Sequence, residues 1–281
     1  MSGHFWRRFS GSAQTRAGIA VLGVLVILAL VAPCFGASPW NMVAAPLIDP
    51  LSQLAHPLGT DMLGRDVLTG LVWSTRASLS VGVAATAATL AIGVVIGALA
   101  GWFGGWIDDV LMRITELFQT IPQFALAVVV AAVLGASPNA TVAAIAIASW
   151  PVVARVVRGE FLSLKQREFI LAAHMIGQRP LAIVFRQLLP HALSPVAVLG
   201  SLMVGNAILT ESALSFLGLG DPGLMSWGFM IGAARNMIRE HWWLSVWPGL
   251  AIVVTVLAVN LVGEGLRQAL AVSQPALRGG R

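Results

Sequence analysis

Six long apolar runs, separated by short polar segments, dominate the pattern of this chain. They cover residues 17–35, 79–102, 121–134, 140–157, 192–217 and 244–266. About 18 apolar residues in a helix cross the roughly 30 Å hydrocarbon core of a bilayer. The third run reaches that length only if Phe118 and its neighbours extend it. Lipid offers no hydrogen-bond partner to an open backbone, so each run is predicted to be a helix.

Composition points to the same environment. Of the 281 residues, 57% are hydrophobic and 10% are charged, whereas about 25% are charged in typical soluble domains. A water-soluble core in a chain of this length cannot absorb so much apolar sequence. This excludes an ordinary soluble enzyme and a disordered chain. The prediction is an all-α integral membrane protein with six transmembrane helices and membrane lipid as its surroundings.

Basic residues indicate the orientation of these helices. Arg7, Arg8 and Arg16 precede the first run, and Arg267 follows the last. Basic residues concentrate on the cytoplasmic side of membrane proteins, so both termini and the loop at about 159–191 are predicted to be cytoplasmic. The predicted organisation is an N-terminus and first helix, an extracytoplasmic segment, a helical core containing that loop, and a cytoplasmic tail. Their bounds are 1–40, 41–74, 75–266 and 267–281.

A cleaved signal peptide is the competing interpretation of the first run. Arg7 and Arg8 would form its basic region, and Cys34 would resemble a lipoprotein cysteine. Cleavage requires small residues just before the cut, but Pro33 stands there, and the apolar run is long for a signal peptide. An uncleaved anchor is therefore favoured. Cys34 is the single cysteine, which excludes an internal disulfide.

The loop between the fourth and fifth runs carries two predicted amphipathic helices. The first has apolar residues at helical spacing, namely Phe169, Ala172, Ala173 and Ile176. Gly177 stands where a glycine commonly ends a helix, and Pro180 suits the first turn of a second helix over 181–188. The apolar face packs on its own spans or in the lipid interface, or it docks in a groove of a soluble partner. The residue pattern leaves both alternatives open.

This loop resembles the signature loop of bacterial ATP-binding-cassette (ABC) importer permeases. The signature is Glu-Ala-Ala, three residues, Gly, about nine residues, then Ile-x-Leu-Pro. The positions in register are Ala172, Ala173, Gly177, Leu189 and Pro190. Leu171 occupies the place of the glutamate, and Glu168 lies nearly one turn earlier, where it could partly substitute.

Other stretches resemble dipeptide, oligopeptide and nickel permeases in the same order. They are residues 56–66, 101–109, 213–220 and 247–250. The order and length are similar to those of the shorter of the two permeases in that family. The resemblance implies a type I ABC importer permease fold in the bacterial inner membrane. It also implies a second homologous permease subunit, two cytoplasmic ABC ATPases and an extracytoplasmic substrate-binding protein. Di- or oligopeptides are the implied cargo, with nickel or a metal chelate as the alternative.

Two groups of candidate site residues follow. The resemblance assigns the contact with the ATPases to the loop, at Glu168, Phe169, Leu171, Ala172, Ala173, Gly177, Leu189 and Pro190. Polar groups at membrane depth are the candidates for lining the pathway, namely Asn206, Glu211 and Asn260. Glu211 lines the path or pairs with an arginine such as Arg235. The asparagines form interhelical hydrogen bonds or face the pore.

Two other short patterns predict local structure. Gly93, Gly97 and Gly101 recur every fourth residue, which favours close approach of another helix. Asp108 and Asp109 are predicted to cap a helix that begins near Val110.

Catalytic, cofactor-binding and metal-binding residues are not predicted in this chain. Lys165 is the single lysine and lies outside any glycine-rich P-loop frame, so ATP and Mg²⁺ are expected in the partner ATPases. The five histidines lack metal-ligand spacing. The net charge of +5 follows from orientation in the membrane and does not indicate nucleic acid. A secondary carrier and a membrane scaffold without transport remain as alternatives from other classes.

Overall fold

The computed structural model describes residues 9, 11–35 and 37–271. Its helices are α1 (Ala13–Val31), α2 (Val67–Phe103), α3 (Gly105–Thr120), α4 (Gln123–Leu134), α5 (Pro138–Lys165), α6 (Glu168–Met175), α7 (Pro180–Ile183), α8 (Leu189–Phe216), α9 (Trp227–Ala234) and α10 (Trp243–Ala271). A 3₁₀ turn at Ala32–Phe35 follows α1, and a π turn at Val184–Leu188 joins α7 to α8. Two isolated bridges are the only β structure among the described residues.

Five helices in the described part are long and apolar enough to cross a membrane. A sixth crossing exists only if α3 and α4 are counted as one span, and these two helices meet at 90°. Phe118 lies on α3, so it does not lengthen the helix of the third run, α4, which begins only after the 90° bend. Ile121 is extended (ψ 130°) because the ring of Pro122 disfavours helical geometry in the preceding residue. The 12 residues of α4 rise only about 18 Å, at about 1.5 Å each.

Several predicted runs are shorter than the helices that contain them. The second begins at Val67, not at 79, because residues 67–78 mix polar and apolar positions. Asp66 caps it by accepting a hydrogen bond from the Thr69 N–H (2.7 Å). The predicted extracytoplasmic segment 41–74 therefore ends inside α2. Four predicted cytoplasmic arginines, Arg7, Arg8, Arg278 and Arg281, lie outside the described residues.

The α2–α5 pair forms the centre of the fold. A Cβ at Gly93 would lie 2.7 Å from Val153 Cγ1, and one at Gly97 would lie 2.8 Å from Val157 Cβ. Gly101 stands against Phe161 in the same way. The predicted close approach at this glycine ladder is confirmed, and the approaching helix belongs to the same chain.

Helix α1 lies at the periphery and packs on α10. A Cβ at Gly18 would lie 2.9 Å from the carbonyl oxygen of Ala258, and a Cβ at Gly265 would lie even closer to the Thr15 side chain. Most of the remaining α1 surface is exposed. Because the start of α1 meets the end of α10, the two lie on one side of the protein.

The segment before α2 is irregular but held in place. Thr60 is fully buried; its hydroxyl donates to the Ala45 carbonyl (2.7 Å) and accepts from the Ile48 N–H (2.9 Å). His56 Nδ1 lies 3.0 Å from the Asp66 carboxylate. These contacts hold residues 44–66 in place, and Leu47 and Leu58 pack against the N-terminal ends of α2 and α10.

The predicted helix cap at Asp108 and Asp109 is wrong. Helix α3 begins at Gly105, which places Asp108 in its first turn. The Asp108 carboxylate is buried and accepts hydrogen bonds from Arg158 on α5.

Candidate functional site

The loop between α5 and α8 forms a helical hairpin over residues 168–188. Its first arm, α6, ends at Met175, and Gly177 follows the last turn with a φ of +74°. The Gly177 N–H donates to the His174 carbonyl (3.0 Å), and the Gln178 N–H donates to the Ala173 carbonyl (3.1 Å). This pair of bonds is a Schellman motif, and its left-handed position favours glycine. The predicted helix end at Gly177 is confirmed.

The second arm of the hairpin runs directly into the fifth span. Helix α7, the π turn and α8 form one continuous helix from Pro180 to Phe216, so the predicted separate helix over 181–188 and the fifth span starting at 192 are corrected. The Leu189 N–H donates to the Val184 carbonyl, five residues back. Pro190 has no N–H to donate, and a wider turn before it removes the conflict that would otherwise break the helix.

One face of the hairpin is buried against the spans. Ile170, Ala173, Ile183 and Leu188 are almost completely buried and belong to a cluster with Val153, Val157 and Phe161 of α5. Of the predicted apolar face, only Ala173 is buried; Phe169, Ala172 and Ile176 are exposed. The sequence analysis missed Ile170, although Ile170 and Ala173 have the i, i+3 spacing that marks one helix face.

The opposite face of the hairpin is apolar and exposed. Its exposed apolar side chains are Phe169, Leu171, Met175, Ile176, Leu181 and Phe185. Met175 is 88% exposed and Ile176 is 74% exposed, beside the turn at Gly177. A concentration of exposed apolar side chains on one hairpin indicates an interaction site. We call these six side chains the hairpin surface.

Charged groups surround the hairpin surface. Arg167, Arg179 and Arg186 are exposed, and none forms an ion pair within the described residues. Glu168 is likewise exposed and unpaired there, so its carboxylate is available for a contact from outside the chain. Lys165 is different: its Nζ donates to the Trp102 carbonyl (2.8 Å) and ties the end of α5 to the end of α2.

Glu211 lies in a buried cluster of polar side chains between helices. It is 2% exposed and accepts hydrogen bonds from Ser215 (2.8 Å) and Ser78 (3.2 Å). The Ser78 oxygen also accepts the Trp227 N–H (3.2 Å) at the start of α9. Serines of α2 and α8 therefore satisfy this carboxylate. The expected pair with Arg235 does not form, and Arg235 is exposed.

The two candidate asparagines lie on the surface. Asn206 on α8 and Asn260 on α10 are both exposed. A Cβ at Gly205 would lie 3.8 Å from Asn260 Oδ1, so α8 and α10 are neighbours at this level. Neither side chain has a hydrogen bond among the described residues. Their role as pathway-lining residues therefore stays a prediction.

The long apolar helices are typical of a multi-pass membrane protein. A family model described as "Binding-protein-dependent transport system inner membrane component" matches residues 93–273. The chain belongs to this family, the permease subunits of ABC importers, and is a multi-pass inner membrane protein.

Individual relatives cover most of the chain. It is 40% identical to "Glutathione transport system permease protein GsiD" of Pectobacterium atrosepticum, over 95% of this chain and 89% of that protein. It is 36% identical to "Dipeptide transport system permease protein DppC" of Alkalihalophilus pseudofirmus, over 90% and 84% respectively. A similar relative is "Di/tripeptide transport system permease protein DppC" of Pseudomonas aeruginosa, 36% identical over 95% and 90%.

A solved structure shares the fold. A chain of the MetNI methionine ABC transporter, in an inward-facing conformation, matches with a TM-score of 0.59 over 71% of this chain and 96% of that chain. The sequence identity is 19%, so this likeness concerns the fold alone. It confirms the predicted ABC importer permease architecture.

Proposed function

We propose that this chain forms half of the translocation pathway of an importer for di- or oligopeptides, and that the hairpin couples it to cytoplasmic ATPases. The similar permeases are named for glutathione, dipeptides and di- or tripeptides, which favours peptide over nickel as the cargo. A second homologous permease would supply the other half of the pathway. Two ATPases would bind ATP and Mg²⁺, and an extracytoplasmic binding protein would deliver the substrate.

The shape of the hairpin is the observation that carries this proposal. Its base is packed into the α5 cluster, while Met175 and Ile176 project beside the turn. A soluble partner that closes on ATP would take up the exposed face and move the hairpin as a rigid body. Because Phe185 stands on the same continuous helix as Asn206 and Glu211, that motion would reach the fifth span without a flexible joint.

Charge supports a cytoplasmic position for the hairpin and both termini. The hairpin carries Arg179 and Arg186, and Arg167 directly precedes it. Arg16 and Arg267 belong to the same side, because α1 and α10 meet at Thr15 and Gly265. Such a concentration of basic residues marks the cytoplasmic face.

Replacing the tip of the hairpin surface tests the coupling. The double variant Met175→Ser/Ile176→Ser should fold normally, because both side chains are highly exposed, yet it should lose co-purifying ATPase. Leu54→Ser is the matched control, since Leu54 is fully exposed in the segment before α2. Equal ATPase recovery from the double variant and the control would contradict the docking role.

Uptake measurements test the cargo and the energy source. Cells with this chain should accumulate a labelled dipeptide, and deletion of the chain should abolish that uptake. Collapse of the proton gradient at constant ATP should spare it. Dipeptide uptake that stops when the proton gradient collapses would support a secondary carrier instead. If the chain were needed for ⁶³Ni uptake and not for dipeptide uptake, the nickel alternative would be supported.

A further inference from the structure

A cleft of about 400 Å³ lies at the base of the hairpin, between the end of α5, the start of α8 and the end of α10. Its polar lining residues are Glu160, Ser163, Arg167, His191, Ser194 and Arg267. Its apolar lining residues are Leu164, Pro195, Val198 and Leu270. The cleft is thus amphipathic, and it lies where helices that span the membrane reach its surface.

The two arginines leave hydrogen-bond donors free for a ligand. Arg167 has no ion pair within the described residues. Arg267 is held by Glu264, which accepts from Nε (2.7 Å) and Nη2 (2.5 Å), and Nη1 remains available. Glu160 is the single acid of the lining, and Glu264 balances the charge of Arg267. The cleft therefore offers guanidinium donors from Arg167 and Arg267 without a net positive charge.

His191 is oriented by the chain. Its Nδ1–H donates to the Gln187 carbonyl (2.6 Å), which leaves Nε2 without a partner in the described part. Ser163 and Ser194 also line the cleft. Guanidinium and hydroxyl groups donate hydrogen bonds to phosphate oxygens, and the imidazole of His191 does so at Nε2 only when it is protonated.

We propose that this cleft binds the phosphate group of an anionic phospholipid, with the acyl chains along Leu164, Val198 and Leu270. Basic pockets between transmembrane helices on the cytoplasmic side recognise such headgroups. A free phosphate ion shares the headgroup chemistry and lacks the apolar contacts. Because Arg167 immediately precedes α6, a bound headgroup would join the base of the hairpin to α10.

Native mass spectrometry of the assembled transporter tests the site. Phosphatidylglycerol is titrated into the detergent-purified complex, with zwitterionic phosphatidylcholine as the headgroup control. Arg167→Gln/Arg267→Gln should weaken phosphatidylglycerol binding about thirtyfold, and each single variant about fivefold, since each basic residue contributes about 1 kcal/mol toward an anionic lipid. Arg113→Gln is the matched control, because Arg113 is exposed on α3, outside the cleft.

A gain-of-affinity variant separates binding from misfolding. Glu160→Gln removes the single acid of the lining and should tighten phosphatidylglycerol binding severalfold. Inorganic phosphate is titrated in parallel to identify the source of the phosphate group. Lipid binding that is lost in the double variant supports the phospholipid, and phosphate binding that is lost in the same variant supports the free ion. Unchanged binding in both the double variant and Glu160→Gln would overturn the site, whether or not ATPases dock on the hairpin.

Discussion

Arg158 on α5 forms a bidentate ion pair with Asp108 on α3. Its Nη2 donates to Asp108 Oδ2 (2.7 Å), and its Nε donates to Oδ1 (2.5 Å). The carboxylate is mostly buried, with 12% of the side chain exposed. Together with the edge-to-face contact of Phe118 on Trp150, this ion pair holds α3 against α5 before the 90° bend into α4.

Replacing Arg158 with lysine should therefore destabilise the protein. Arg158→Lys keeps the charge but loses the planar pair of donors, so the free energy of unfolding should fall by about 1–3 kcal/mol. Denaturant titration in detergent measures the change. Asp109→Asn, at the exposed neighbour, should change stability by less than about 0.5 kcal/mol. Equal effects of the two substitutions would show that the ion pair adds nothing.

Adding a methyl group to the glycine ladder should disrupt the α2–α5 contact. A Cβ at Gly97 would overlap the Ala154 carbonyl and Val157, so Gly97→Ala should cost about 1–3 kcal/mol and lower the folded yield. Gly23→Ala is the control, because nothing lies within 4 Å of that position on α1. It should be neutral or slightly stabilising. A wild-type melting temperature for Gly97→Ala would contradict the observed close packing.

The turn of the hairpin should depend on backbone conformation alone. A Cβ at Gly177 would meet no atom within 4 Å, but its φ of +74° strains a β-branched residue. Gly177→Val should reduce ATPase co-purification strongly, while Gly177→Asn should retain most of it, since asparagine tolerates this region. Gly135→Val, with φ +84° in the α4–α5 turn, controls for strain elsewhere. If Gly135→Val also lost ATPase co-purification, the loss in Gly177→Val would be explained by general instability of the protein.

Leu171 should require an apolar contact on the partner. It is 53% exposed and lies one turn before Met175, which is 88% exposed. Leu171→Glu restores the acid of the family signature, and burying its charge against an apolar surface should weaken docking at least tenfold. Leu171→Met should bind like the wild type. Titration with purified ATPase measures the affinity, and stronger binding by Leu171→Glu would indicate a basic group in the partner.

Replacing Glu211 should lower the stability of the protein, whereas replacing the exposed Asn206 or Asn260 should not. Glu211→Gln replaces one accepting oxygen by a donor toward Ser78 and Ser215, so it should lower the melting temperature and slow charged and uncharged peptides equally. Asn206→Ala and Asn260→Ala should leave stability unchanged because both side chains are exposed. A changed ratio of charged to uncharged cargo with Glu211→Gln would instead place this carboxylate in the pathway.

Much of this architecture follows from short-range features of the chain. Apolar runs predict membrane helices because their backbones must be satisfied internally in lipid. Gly177 predicts the end of α6 because a left-handed residue there costs glycine little. The signature positions around Ala172 and Pro190 identify the family. Each of these signals lies within a few neighbouring residues, where local geometry and solvation suffice.

Other features depended on contacts between residues far apart in the chain. The serines around Glu211 lie on different helices, and residue 78 is 133 positions from residue 211. The partner of Asp108 is 50 positions away, and hydropathy does not distinguish a buried Ile170 from an exposed Phe169. Periodicity defines the faces of a helix, whereas packing against other helices selects which face is buried. For that reason the α3–α4 bend, the continuous helix through Pro190 and the cleft at Arg167 emerged only once the helices were assembled.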